Sequence, residues 1–247
     1  MNANFKFLLA SFSFVAASAF ASGADVHLDV APINLKDTAS LQRGAKTFVN
    51  YCLNCHNAQF MRYSHLTQIG LTEQQIKENL MFTTTKFGDT MVSALDPADA
   101  KDWFGGVPPD LTLSARVRGS DWLYTYLRGF YRDDASTTGW NNTVFKNVAM
   151  PHVLHDLQGT LTMGKVGERQ GHDGKMEPVM KLNVDRAGSM SAAEYDRYVA
   201  DLVNYMTYMA EPVRTQRTQL GVLALFFLVI AFFITLWLKN EYWKDVK

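Results

Sequence analysis

Five residues, Cys52-Leu53-Asn54-Cys55-His56, constrain what this chain can fold into more than any other stretch. The pattern C-x-x-C-H is the attachment signature of a c-type haem. Two thiols three positions apart on a tight turn can each add to one of the haem's two vinyl groups. The imidazole that follows directly can then reach the iron as proximal ligand. The motif uses the whole cysteine complement, because the chain has only 2 cysteines. Other readings of the pair fit less well. A thioredoxin-like dithiol sits near a strand-helix-strand pattern, which is missing here. Structural zinc wants four ligands, commonly two such pairs. A disulfide across two residues closes too small a loop to stabilise much.

Both ends of the chain are more apolar than its middle. Lys6 followed by the apolar, small-residue-rich stretch Phe7 to Phe20 and the A-x-A site Ala19-Phe20-Ala21 reads as a signal peptide over residues 1–21, with the mature start near Ser22. The apolar stretch is short for an uncleaved span. Export agrees with the haem motif, since exported cysteines meet an oxidising compartment. At the other end, Leu220 to Leu238 carries no charge and approaches the ~20 residues a membrane crossing needs. Trp237, Tyr242 and Trp243 are placed as interfacial anchors. An exported domain followed by one stop-transfer helix leaves residues 239–247 in the cytoplasm. Lys and Arg (24) balance Asp and Glu (24), so nothing points to a nucleic-acid partner.

Between the ends, residues 22–212 read as one mainly α domain. Residues 22–38 are expected as an extended arm. Leu41, Ala45, Phe48 and Tyr51 recur at helical spacing and predict a helix from about Ser40 into the cysteine motif. Thr72 with Gln75 forms a capping box for a short helix through Met81. Ser120 is expected to cap another, with Trp122, Tyr126, Leu127 and Phe130 near one face. Ser191 with Glu194 starts the clearest helix, which Pro212 ends. Val213 to Gln219 reads as a short polar linker into the span. The glycine-rich stretch Gly159 to Gly188, with Met180, Leu182 and Val184 alternating, predicts an insertion with one short strand or a hairpin and little strand elsewhere.

The sixth ligand of a haem iron decides its work. A thioether gives an electron-transfer site of raised potential, and an open position gives oxygen or peroxide chemistry. Of 11 methionines, Met206 and Met209 fit a core stripe, whereas Met150 precedes Pro151 in a loop well downstream of the cysteines. Context divides the choice evenly between Met150 and the rest. His152 and His155 are competitors, and bis-imidazole ligation would lower the potential.

Four segments together resemble the cytochrome c1 family of bacterial type, the haem subunits of the ubiquinol–cytochrome c oxidoreductase (the cytochrome bc1 complex). They are Arg43-Gly44 through His56; Pro108-Pro109-Asp110-Leu111-Thr112 with Ala115 to Arg118; Asn147 to Leu154; and Ala210-Glu211-Pro212 before the span. The resemblance implies a c-type cytochrome haem domain with a loop and short-strand insertion and one C-terminal transmembrane helix. It implies one covalent haem c held by Cys52 and Cys55, with His56 proximal and Met150 distal. It assigns Arg118 to a haem propionate, since a buried carboxylate needs a cationic partner. It places Pro108, Pro109 and Trp122 beside the haem. Some members have an additional cysteine pair that stiffens the distal region; this chain has no spare cysteine.

The implied work is a relay, with the chain an electron-transfer module of a multi-subunit enzyme. One electron passes from the Rieske iron–sulfur protein through this haem to a cytochrome c, while quinol oxidation belongs to cytochrome b. The domain would stand on the periplasmic side of the bacterial inner membrane, in a dimeric complex. Asp96, Asp99, Asp102, Asp133 and Asp134 are candidate acidic patches for docking a cytochrome c. The alternatives are a membrane-anchored cytochrome serving another oxidase, and a haem enzyme with an open sixth site.

Overall fold

A computed structural model describes residues 27–170 and 176–245. The expected signal peptide, its cleavage site and the start of the arm lie outside the described residues.

From His27 to Asp37 the chain is extended but firmly held. Its Asp29 and Ala31 amides donate to Thr125 Oγ1 and Asp121 Oδ1, both at 2.8 Å. Asn34 exchanges two hydrogen bonds with the Asn204 side chain, at 3.1 and 2.9 Å. Asp37 then caps helix α1 (Thr38–Thr47), accepting from the Ser40 amide. The helix does enter the cysteine motif, but its last turn widens to a π-helical one, Phe48–Cys52. The Leu53 amide donates to the Phe48 carbonyl at 3.0 Å across that turn.

Strand β1 (Ala58–Arg62) pairs antiparallel with β2 (Thr90–Met91). Between them lie a 3-10 helix (Tyr63–Ile69) and α2 (Glu73–Asn79), which starts at the Thr72/Gln75 capping box. Helix α3 (Pro97–Phe104) begins at an Asp96 cap and ends at Gly105 in the left-handed region. Short α4 (Ser114–Val117) precedes α5 (Ser120–Arg128). The cap of α5 is Gly119, not Ser120; the Ser120 hydroxyl instead meets Thr207 Oγ1 at 2.9 Å.

Strands β3 (Phe130–Arg132) and β4 (Trp140–Asn142) form a small hairpin. After α6 (His155–Gln158) come β5 (Gly159–Gln170) and β6 (Met176–Ala187), in a sheet of order β4-β3-β5-β6. The insertion is therefore a hairpin with strands of 12 residues each, longer than the short strand expected. The expected alternation is present, with Met163 opposite Leu182 and Leu161 opposite Val184. Its length escaped the sequence because backbone pairing between the two strands, rather than a buried apolar face, carries it: Leu161 is buried at the base while Val166 and Val184 stay exposed.

The long helix α7 (Ala192–Ala210) starts at the Ser191/Glu194 capping box and supplies the floor of the core. Gly44 is where α1 crosses it, since a Cβ there would sit 2.1 Å from the Asp201 carbonyl oxygen and 2.6 Å from Tyr205 Cβ. Beside the crossing, Arg43 holds Asp201 through two bonds of 2.6 and 2.9 Å. Tyr195 Oη donates to the Leu127 carbonyl at 2.9 Å and ties α5 to α7. Helix α8 (Arg214–Tyr242) is long and apolar enough to cross a membrane, and none of its residues is buried against the domain. It begins at Arg214, so the stretch expected as a linker, residues 213–219, is helical from its second residue; its polar side chains do not prevent the helix, because Thr, Gln and Arg are tolerated on an exposed helix surface.

Candidate haem site

The π turn and the turn after it set the cysteine motif. The amides of Cys55 and His56 both donate to the Cys52 carbonyl, at 3.1 and 2.9 Å. This folds the motif so that Cys52, Cys55 and His56 all line one cavity of about 430 Å³. Such a volume lies within the roughly 300–1,000 Å³ of ordinary cofactor pockets. A π-type turn at a functional motif is a recurrent device, because it shifts side-chain phase without breaking the helix. The two cysteines form no disulfide. Burial pushes Cys52 up to about 12, helped by Cys55, and burial also raises Cys55. Both are held as thiols, whereas a metal would want thiolates. Among the described residues no group of three or more His, Cys, Asp or Glu side chains could hold a bare metal ion.

His56 is oriented by the segment that the Pro108-Pro109 pair opens. Its Nδ1 lies 2.8 Å from the Pro109 carbonyl oxygen. A carbonyl only accepts, so Nδ1 carries the proton and Nε2 keeps a lone pair for a metal. Burial lowers the His56 pKa, against the opposing pull of the Pro109 bond and the Asp110 charge. The neutral imidazole that ligation requires is thereby favoured. The Pro109 carbonyl is itself pinned. Asp110 accepts from the amides of Gln59 at 2.8 Å and Thr112 at 2.9 Å, and the Leu111 amide donates to Asn57 O at 2.8 Å. Pro109 thus contributes a carbonyl as well as the ring expected of it.

Met150 lines the same cavity, from the loop that follows β4. Its loop is braced by side-chain amides. Asn142 donates to the Tyr126 carbonyl at 2.8 Å and accepts from the Val144 and Phe145 amides. Asn141 accepts from the Asn147 amide at 2.9 Å and donates to Asp133 at 2.7 Å. Asn147 adopts φ 58°, the left-handed region that asparagine enters more readily than most residues. The Tyr126 hydroxyl donates to Met150 Sδ at 3.3 Å. Burial raises the Tyr126 phenol far above its ordinary range, so it stays a donor.

The two rival histidines are not at the cavity wall. The His152 ring stacks on Phe130, centroids 4.8 Å apart and 1° from parallel, and bonds Gln158 Oε1 at 2.7 Å. His155 Nδ1 donates locally, to the His152 carbonyl 3.0 Å away. A second methionine, Met206, does line the cavity, from the α7 stripe where it was read as core.

Arg118, Pro108 and Trp122 are also in the lining. Trp122 stacks on Tyr126, centroids 4.8 Å apart at 11°. Arg118 is exposed at the rim, its guanidinium 5.2 Å from the Trp122 ring and 5.9 Å from Phe145. A cation resting on aromatic faces keeps its donors for an incoming carboxylate. All eight predicted site residues therefore meet at one cavity. The residues that sequence reasoning missed are the braces Asn141, Asn142 and the hydroxyl of Tyr126. The Asn141-Asn142 pair before a loop was the one local signal. Of the acidic residues, Asp96 caps α3, Asp133 holds Asn141 and Asp134 pairs with Arg132 at 3.2 Å; all but Asp133 are exposed.

A mainly helical domain that gathers two thiols, an imidazole and a thioether at one apolar cavity, joined to one apolar helix, defines a membrane-anchored c-type cytochrome. The model of the cytochrome C1 family matches residues 30–246, and the chain belongs to that family. It is 48% identical over 242 residues to a Nitrosomonas europaea protein named ammonia monooxygenase gamma subunit, covering 98% of each. It is 46% identical over 244 residues to cytochrome c1 of Allochromatium vinosum, covering 98% of this chain and 99% of that one. Cytochrome c1 of Rhodospirillum rubrum is 28% identical over 233 residues, 85% of this chain and 83% of its own.

Proposed function

We propose that this chain is the electron-transfer haem subunit of a ubiquinol–cytochrome c oxidoreductase. It takes one electron from a Rieske iron–sulfur protein beside cytochrome b and delivers it to a cytochrome c. The observation that supports the reading is the meeting of Cys52, Cys55, His56 and Met150 at one cavity. The haem, when bound, supplies one-electron Fe(III)/Fe(II) chemistry. Cys52 and Cys55 would tether it, and His56 Nε2 and the Met150 sulfur would be its iron ligands. The Pro109 carbonyl holds the imidazole orientation, and Arg118 at the rim takes a propionate. Leu202, Met206, Leu123 and Leu154 keep the surroundings apolar, which disfavours the more highly charged oxidised state. Residues 1–21 serve export, 22–212 form the periplasmic domain, and α8 anchors it in the inner membrane of a dimeric complex.

Met150→Leu tests the reading. The variant is expected to lose its six-coordinate spectrum, to titrate at a lower potential and to bind carbon monoxide when reduced. Met206→Leu is expected to keep all three parental properties. A six-coordinate, high-potential Met150→Leu protein would overturn the assignment. Rapid carbon monoxide binding by the parent protein would favour a haem enzyme with an open sixth site.

A further inference from the structure

Tyr126 touches the distal side of the site in two ways. Its hydroxyl donates to Met150 Sδ at 3.3 Å, and its carbonyl accepts from Asn142, which also holds the Val144 and Phe145 amides of the same loop. The ring has little freedom. It is 8% exposed, stacked on Trp122 at 4.8 Å and edge-on to Phe130 at 5.0 Å. The hydroxyl is therefore delivered to the sulfur by a locked ring on a helix, not by a mobile side chain.

A thioether sulfur has two lone pairs. One engaged by an O–H donor leaves the other for a metal, and fixes the direction in which it points. The donor also draws electron density from the sulfur. A weaker electron-pair donor supports the more positively charged oxidised iron less than the reduced iron, so the hydrogen bond raises the reduction potential. The chain has no cysteine outside the attachment motif, so no disulfide can brace the loop. We infer that Tyr126 is a positioning residue for the distal ligand: its hydroxyl holds the Met150 thioether by one lone pair and raises the potential of the haem. This rests on the reading of Met150 as distal ligand.

Tyr126→Phe removes the hydroxyl and keeps the ring stack. Tyr124→Phe is the control, deleting the hydroxyl of a buried side chain on the same helix that does not line the cavity. The measurements use the full-length protein in detergent: a redox titration, the far-red charge-transfer band of a thioether on oxidised haem iron, and carbon monoxide binding to the reduced form. Tyr126→Phe is expected to shift the electron equilibrium with a fixed-potential mediator toward oxidised haem by about twofold to tenfold, the range of one neutral hydrogen bond. Tenfold is about 59 mV for a one-electron couple. Its charge-transfer band should move and carbon monoxide should bind faster, while Tyr124→Phe matches the parent. A Tyr126→Phe protein that titrates with the parent or above it overturns the inference, as does an equal shift in both variants. A parent protein without the charge-transfer band overturns the Met150 reading itself, and this inference with it.

Discussion

Met150 and His152 lie two positions apart and do different work. The methionine lines the cavity, while the histidine is 3% exposed and buried behind it. Burial lowers His152 to about 4, with the His155 charge a smaller contribution and the Gln158 bond opposing both. The ring is thus neutral and packs as an aromatic plate between Phe130 and Trp140. Its Nε2 bonds Gln158, whose amide donates in turn to the Arg128 carbonyl at 2.9 Å. His152→Ala removes the plate and leaves the Gln158 oxygen unpaired. It is expected to cost about 2–4 kcal/mol in urea unfolding, by cavity formation and a lost buried hydrogen bond. Carbon monoxide should bind the reduced variant more readily as the Met150 loop loosens. Parental unfolding and binding would show that the loop does not depend on this ring. At this scale the cysteines and His56 were legible because their chemistry is set by spacing within five residues. Tyr126 was not, since the atom it serves is 24 residues away in sequence.

Among the elements, the helices with capping boxes were readable from their N-termini, while the helix from Thr72 ends at Asn79, two residues before the Met81 expected. Thr72 and Ser191 each accept from the backbone of the residue three ahead, whose side chain bonds back, and these are local contacts. The π turn at Phe48–Cys52 left no mark in the pattern, because Leu41, Ala45 and Phe48 keep ordinary helical spacing before it. The hairpin's length was equally hidden, since backbone hydrogen bonds need no particular side chains. The crossing of α1 on α7 is the contact most sensitive to one atom. Gly44→Ala places a methyl against the Asp201 carbonyl and Tyr205, so the helices must separate. The expected cost is about 1–3 kcal/mol, as for other overpacked sites, read from the denaturation midpoint of the haem-loaded protein. A midpoint unchanged from the parent would mean that the crossing is loose enough to absorb a methyl.

For the whole molecule, the domain and the anchor share few interactions. Helix α8 contributes no buried residue, and Arg217 to Glu211, at 2.7 Å, is an ion pair with one well-exposed partner. Such a pair is worth about 0–1 kcal/mol. A chain ending at Val213 is expected to appear in the soluble fraction with the parental haem spectrum and with stability within about 1 kcal/mol of the full chain. A truncated domain that loses its haem or unfolds would make the anchor part of the fold.

The sequence by itself determined the Cys52 to His56 motif, the capped helices and the apolar last helix. Each depends on neighbours along the chain, through covalent spacing, a hydrogen bond back over three residues, or unbroken apolarity. Only the tertiary structure decided which methionine and which histidine face the cavity, that Pro109 lends a carbonyl, and that a tyrosine hydroxyl reaches the thioether. Those contacts join α1, α5, α7 and the Asn141 to Gln158 loop. They exist only once packing has brought distant backbones within hydrogen-bond range.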